Sequence, residues 1–206
     1  MDNSVTVVIP TFNRPKLVIR AINSVINQDF QGKVFCIIVD NSTNLDTENN
    51  IKKIELDKNS NREIVYIKNK DSSFPIDNWI LGTEKIETTY AKFLCDDDWL
   101  ENNFISTLLN KMEETKAGTG IANIKLHKEN KKEIKEVDKY YNYKKGLVSP
   151  NSVIDSYLKL SDILPATPTA SLMLTQKLKE SFFFALEHYE CTKQLFGFDF
   201  LMNYYC

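Results

Sequence analysis

Three short polar clusters hold most of the residues in this chain that could do chemistry. They are Pro10-Thr11-Phe12-Asn13-Arg14, Asp40-Asn41-Ser42 and Asp96-Asp97-Asp98. Each follows an apolar, β-rich run: Ser4 to Ile9, Val34 to Val39, and Tyr90 to Leu94. Three adjacent carboxylates repel one another, so the acidic run is unfavourable unless a cation or solvent relieves it. Oxygen ligands at a strand end suit Mg2+ or Mn2+, above all an ion also held by substrate phosphates. The competing explanation is a helix start, with acidic residues stabilised by the helix dipole. That accounts well for Asp98 and poorly for three carboxylates in a row. For Asp40, a helix cap or an Asx turn stands level with a binding role.

The elements that must position these clusters follow from apolar spacing. Ser4 to Ile9 reads as a strand buried on both faces and ended by Pro10. Pro15 opens a helix with Leu17, Val18, Ala21, Ile22, Val25 and Ile26 on one face. Val34 to Val39 is a second strand, followed by a weak helix around Asn49 to Leu56. Ile64 to Ile67 is a third strand, Ile76 to Ile86 a helix, and Tyr90 to Leu94 a fourth strand. Leu100, Phe104, Ile105, Leu108, Leu109 and Met112 mark a long amphipathic helix. This alternation predicts an α/β fold: a doubly wound, mostly parallel sheet flanked by helices. Ligands in such sheets bind beyond the carboxyl ends of the strands, where the three clusters would converge.

Residues 113–150 are Lys- and Glu-rich, with strands near Thr119–Leu126 and Glu133–Val137, and read as an excursion at the sheet edge. Ser152 to Leu160 reads as helix, Ala166 to Leu174 as strand, and Gln176 to Leu186 as a helix burying Phe182, Phe183 and Phe184. The chain stops at Tyr204-Tyr205-Cys206 inside an apolar helical pattern, which suggests truncation at the C-terminus.

Composition excludes several classes. With 26 Lys+Arg against 28 Asp+Glu, there is no global basic field for nucleic acid. A hydrophobic content of 42% argues against wholesale disorder. No apolar run approaches the ~20 residues of a membrane span, and the first residues lack a signal-peptide pattern. Cys36, Cys95, Cys191 and Cys206 are far apart, which argues against a zinc ribbon or disulfide scaffold and fits a reducing cytoplasm. There is no G-x-G-x-x-G, no P-loop and no G-x-S-x-G elbow. Without a glycine-rich cradle, a diphosphate would depend on a metal for neutralisation. His127 and His188 read as ordinary surface or boundary residues.

Val7-Val8-Ile9-Pro10-Thr11-Phe12-Asn13-Arg14-Pro15, Ile38-Val39-Asp40-Asn41-Ser42 and Phe93-Leu94-Cys95-Asp96-Asp97-Asp98-Trp99-Leu100 together resemble the family 2 glycosyltransferases of GT-A fold. The resemblance covers residues 4–112 and is thin beyond. It implies transfer of a sugar from a nucleotide-diphosphate sugar, a UDP-sugar being favoured, to an acceptor hydroxyl with inversion. Surface polysaccharide or glycoconjugate synthesis is the setting it implies. Residues 1–112 would be the nucleotide-sugar-binding half and residues 113–206 the variable acceptor-side half of one domain.

By the same resemblance Pro10, Thr11, Asn13, Arg14, Asp40 and Asp96 are nucleotide-binding, with Asp40 on the base and Asp96 facing the ribose. The acidic run matches the family's D-x-D element, although Cys95 stands where many members have the first Asp. Asp97 and Asp98 would then be the metal residues for Mn2+ or Mg2+, with Asp97 nearer the ion and Asp98 the one that could instead cap a helix. The acceptor would be a saccharide or a lipid-linked saccharide. A lipid-linked acceptor implies a cytoplasmic enzyme with peripheral association at the inner face of the membrane.

Inversion needs a general base on the acceptor side. Relatives carry an Asp, commonly in a Glu-Asp pair, before an apolar helix. Phe196-Gly197-Phe198-Asp199-Phe200-Leu201-Met202 has that shape, with Phe198 in place of the Glu, which nominates Asp199. A helix cap is the competing role, and Glu187 and Glu190 are fallback candidates. Tyr140, Tyr141 and Tyr143 fit a small sheet core better than a sugar-stacking surface. Two other functions remain as alternatives: a sugar nucleotidyltransferase, which would want a glycine-rich first loop, and a nucleotide-binding remnant without turnover.

Overall fold

The computed structural model describes residues 3–57, 60–71, 74–130, 133–137, 146–149, 151–152, 155, 167–188 and 202. The predicted alternation is present in order: β1 Val5–Thr11, α1 Pro15–Ile26, β2 Val34–Asp40, α2 Asp46–Ile51, β3 Arg62–Lys68, α3 Pro75–Glu84, β4 Tyr90–Phe93 and α4 Phe104–Thr115. Then come β5 Thr119–Ile121, β6 Leu126–Asn130, β7 Glu133–Val137, a 3-10 turn at Pro168–Ala170, β8 Ser171–Leu174 and α5 Thr175–His188. One six-stranded sheet runs in the order β3-β2-β1-β4-β8-β5, while β6 and β7 form a separate hairpin. The first four strands are parallel, and β8 is antiparallel to both β4 and β5.

Strand alternation sorts the core into two layers. Val5, Val7 and Ile9 of β1 and Cys36 and Ile38 of β2 face Ala21, Ile22 and Val25 of α1 and Ile105 and Leu108 of α4. Val8, Ile37, Val39 and Phe93 face Ile76 and Trp79 of α3 and Leu178 and Phe182 of α5. Trp79 and Phe182 pack on Phe93 with ring centroids at 4.5 and 5.6 Å. Polar staples join neighbouring elements. Gln28 donates to the carbonyls of Ser24 and Glu101 and accepts the Ile105 amide, locking the end of α1 to the start of α4. Arg62 donates to the carbonyls of Ile26, Gln28, Phe30 and Gly32 and so shapes the turn into β2.

Several sequence expectations change. Strand β1 continues through Pro10 to Thr11 instead of stopping at the proline. Its pairing with β4 ends at Val8↔Phe93, so the side of Pro10 that lacks an N–H faces no ladder partner. Leu100 is buried but lies outside α4, whose N-cap is Asn103. The apolar spacing from Leu100 onward therefore joined a loop anchor to a helix. Thr119–Ile121 belongs to the main sheet, so only the β6–β7 hairpin stands apart. On α5, Leu178, Phe182 and Ala185 face inward at helical spacing, which turns Phe183 outward and leaves it 43% exposed. Tyr140, Tyr141, Tyr143, Asp199, Glu190 and nearly all of the expected Ser152–Leu160 helix lie outside the described residues.

Gly82 sets how closely α3 approaches β1. A Cβ at this position would collide with Val8 Cγ1 and crowd Val39 Cγ2 at 3.3 Å. Gly82→Ala gains ~1 kcal/mol of helix propensity and loses ~1–3 kcal/mol to overpacking. The expected net result is a lower urea midpoint, and a rise would show that α3 is not pinned there.

Candidate functional site

In an open α/β sheet the crevice for a ligand lies where neighbouring strands part beyond their carboxyl ends, and here β1 and β4 part. Beyond Val8↔Phe93 they no longer pair, while β1 stays with β2 as far as Thr11↔Asp40. Side chains bridge the gap. The Thr11 hydroxyl donates to Asp96 Oδ2 at 2.7 Å, and Arg14 donates to Asp96 Oδ1 at 3.0 Å. Asp96 is buried. Burial pushes its carboxyl up, while the Thr11 hydrogen bond and the Arg14 charge pull it back down. The charge of Asp96, reinforced by Asp97, raises the Arg14 guanidinium in return.

Asn13 adopts the left-handed region at φ 54°, which asparagine tolerates better than most residues. Its amide donates to Ser42 Oγ at 2.7 Å, and its side-chain oxygen accepts the Thr43 amide at 3.0 Å. The first and second polar clusters are thereby joined. Asp40 is fully buried. Its Oδ1 accepts the Ser42 amide at 2.7 Å, an Asx-turn contact, one of the readings weighed for this position. Its Oδ2 accepts Tyr66 Oη at 2.8 Å and Lys68 Nζ at 3.3 Å. Burial, followed by this hydrogen bond to Asp40, pushes the Tyr66 phenol well up.

The sequence reading missed Tyr66 and Lys68, although their two-residue spacing on β3 beside the end of β2 was a usable signal. It also missed Asn78. This buried α3 residue donates to the Thr11 carbonyl at 3.2 Å and to Asn41 Oδ1 at 2.9 Å, and accepts from Asn69 at 2.9 Å. One amide thus ties the ends of β1, β2 and β3.

The acidic run divides among three environments. Asp96 is buried, Asp97 has a side chain 53% exposed and 3.2 Å from Arg14, and Asp98 is half-buried. Asp98 does not cap a helix. Its Oδ2 accepts the Thr169 hydroxyl at 2.7 Å, and α4 begins at Phe104. Burial raises the Asp98 carboxyl, opposed first by the Thr169 hydrogen bond. Arg20 donates to the Asp97 carbonyl at 2.6 Å and lies 4.3 Å over the Trp99 ring. Trp99 also packs on His127 at 4.6 Å, so His127 borders this site. Glu187 is exposed near the end of α5.

Ligand atoms of Cys95, Asp97 and Asp98 lie within 4.8 Å of one another. Two carboxylates suit a hard cation such as Mn2+ or Mg2+ that keeps positions for phosphate oxygens. The thiol is the wrong donor for those ions, which leaves Asp97 and Asp98 as the fitting pair.

Comparison with known proteins bears on the family and the fold. The family model described as glycosyl transferase family 2 matches residues 6–182. The chain is 32% identical over 109 residues to the GalNAc(5)-diNAcBac-PP-undecaprenol beta-1,3-glucosyltransferase of Campylobacter jejuni, covering 53% of this chain and 34% of that protein. The crystal structure of residues 1–349 of S. aureus TarS superposes with a TM-score of 0.69 at 17% identity, covering 97% of this chain and 55% of that one. Its complex with UDP-GlcNAc gives a TM-score of 0.65 at 17% identity, over 97% of this chain and 53% of that one. The Pyrobaculum calidifontis mannosyltransferase PcManGT, in complex with GDP-Man and Mn2+, gives 0.50 at 15% identity, over 59% of this chain and 35% of that one. The chain thus spans about a third of the Campylobacter protein and about half of the TarS fragment. The structural likeness shows a GT-A glycosyltransferase fold.

The Arg14 charge lowers the Asp96 carboxyl against the rise caused by burial, so Arg14→Gln lifts it further. The parent's stability advantage is then full at neutral pH and shrinks as pH falls through the range where Asp96 protonates. Arg14 is half-exposed, which keeps the effect under ~1 kcal/mol. Urea midpoints of the two proteins measured from pH 7.5 downward should converge, and a gap that widens in acid would contradict the pairing.

Proposed function

The chain belongs to glycosyl transferase family 2, and we propose that it is a glycosyltransferase that moves a sugar from a nucleotide-diphosphate sugar to an acceptor hydroxyl with inversion. The favoured donor is a UDP-sugar, and the favoured acceptor is a saccharide or lipid-linked saccharide in surface polysaccharide or glycoconjugate synthesis. One observation carries the reading: buried Asp96, hydrogen-bonded to Thr11, sits beside the exposed Asp97 and the tethered Asp98 at the mouth of the crevice. The UDP-GlcNAc complex of TarS and the undecaprenol-linked substrate in the name of the Campylobacter relative support the donor and acceptor classes.

In this reading Pro10, Thr11, Asn13 and Arg14 border the nucleotide, Asp40 meets the base and Asp96 meets the ribose. Asp97 and Asp98 would hold Mn2+ or Mg2+, and such an ion would supply charge neutralisation for the departing nucleoside diphosphate; the Mn2+ complex of PcManGT supports the choice of metal. Residues 1–112 form the donor half and residues 113–206 the acceptor half. Asp199, outside the described residues, takes the proton from the acceptor hydroxyl. No helix among the described residues is long and apolar enough to cross a membrane. A lipid-linked acceptor would bring the protein to the cytoplasmic face of a membrane as a peripheral partner.

A screen of UDP-, GDP- and dTDP-sugars, read as nucleoside diphosphate released with and without Mn2+, should give Mn2+-dependent release from a UDP-sugar. Asp97→Asn should bring that release to background, with a smaller loss for Asp98→Asn. Binding of UDP without release from any donor would identify a binding remnant instead. For the base, Asp199→Asn should leave calorimetric UDP affinity near the parental value and lower turnover by ~10²–10⁴-fold. Transfer at the parental rate would remove Asp199 from the mechanism.

A further inference from the structure

Lys92 is buried in the middle of β4, 1% exposed, in a sheet that is otherwise apolar there. Strand alternation turns it toward the α4 layer, away from Ala91 and Phe93. Burying an ammonium costs several kcal/mol unless its donors are satisfied. Its Nζ donates to the Thr169 carbonyl at 2.6 Å and lies 4.4 Å over the Phe104 ring. Thr169 sits in the 3-10 turn that leads into β8. Its hydroxyl accepts the Cys95 amide at 3.2 Å and donates to Asp98 Oδ2 at 2.7 Å. Thr169 is therefore held from behind by Lys92, while its side chain meets the acidic run at both ends, through the Cys95 backbone and the Asp98 carboxylate.

We propose that Lys92 is a positioning residue that anchors the Thr169 turn, so that the Thr169 hydroxyl orients Asp98 and the Cys95 backbone at the mouth of the crevice. The part of this inference that concerns metal rests on the reading of Asp97 and Asp98 as the metal-holding pair. The part that concerns the turn does not. Partners behind a ligand typically change metal affinity by ~10–100-fold when removed, although they never touch the ion. A hydrophobic residue at position 92 would fill the sheet without the desolvation cost, but would leave the Thr169 carbonyl without its donor.

The test uses Lys92→Met, Thr169→Val and the double variant, with two readouts. The first is hydrogen exchange of the Cys95 amide by NMR, against amides of β1 and β2 as internal reference. Each single variant should speed Cys95 exchange by about tenfold and leave the reference amides protected. The second is the Mn2+ concentration that half-saturates UDP binding by calorimetry, which each single variant should raise about tenfold. The double variant should be no worse than the larger single effect, because both changes break one chain of contacts. Lys92→Gln, whose donor ends one bond earlier and falls short of Thr169, should reproduce the loss and serves if the Met variant does not fold. Parental Cys95 protection in both Lys92 variants, or effects that multiply in the double, would overturn the proposal. If the parent shows no Mn2+ dependence while Cys95 exchange responds as stated, the metal reading fails and the role of Lys92 in the turn stands.

Discussion

Burial of the Asp96 carboxylate is the constraint from which the rest of the site follows. A buried charge without partners is strongly unfavourable, and the donors available to Asp96 come from another strand end. Thr11 supplies one from the last residue of β1, and Arg14 a second from the loop beyond. This is the stretch where the backbone ladder between β1 and β4 has already ended. Side-chain hydrogen bonds therefore do the work of strand pairing there, and a crevice opens without the sheet losing its register. The same solution is repeated one strand away, where Asp40 is held by Tyr66, Lys68 and the Ser42 amide. Asn78 links both to the end of β3.

This arrangement also explains how three successive carboxylates are tolerated. They do not share one environment, so their mutual repulsion is divided. Asp96 turns inward to Thr11, Asp97 outward to solvent and Arg14, and Asp98 across to Thr169. Arg20 adds a donor to the Asp97 backbone. What remains at the mouth is a pair of carboxylates with different freedom, one tethered and one exposed.

Much of the fold was legible because parallel sheets advertise themselves. Strands buried on both faces read as continuous apolar runs, and Pro15 marks the start of α1 where the structure has it. The polar clusters at Thr11, Asp40 and Asp96 were legible for the complementary reason, since polarity resumes abruptly where each strand ends. What escaped depends on contacts across long sequence separation. Nothing local in Pro168-Thr169-Ala170 indicates a turn whose hydroxyl crosses 71 residues to Asp98. The antiparallel entry of β8 between β4 and β5 is likewise set by which edge is left open after β4, not by the composition of Ser171–Leu174. Asp98 looked like a cap because apolar spacing began at Leu100, yet Leu100 is held by its amide on Ser24 Oγ in a loop.

The late part of the chain is accordingly more than an appendix to residues 1–112. β8 completes the sheet beside β4, α5 and Met202 cover the layer built on Phe93, and Thr169 reaches the acidic run. Residue 112 divides the sequence by pattern, but the core and the site run across it. A carboxylate of the acidic run hydrogen-bonded to a residue of the later segment couples the two parts physically. Through Thr169, Asp98 is linked to the buried Nζ of Lys92. A lysine buried in the sheet, its amine pushed down to about 7 by burial, is costly to stability when considered alone and makes sense as the fixed end of that connection.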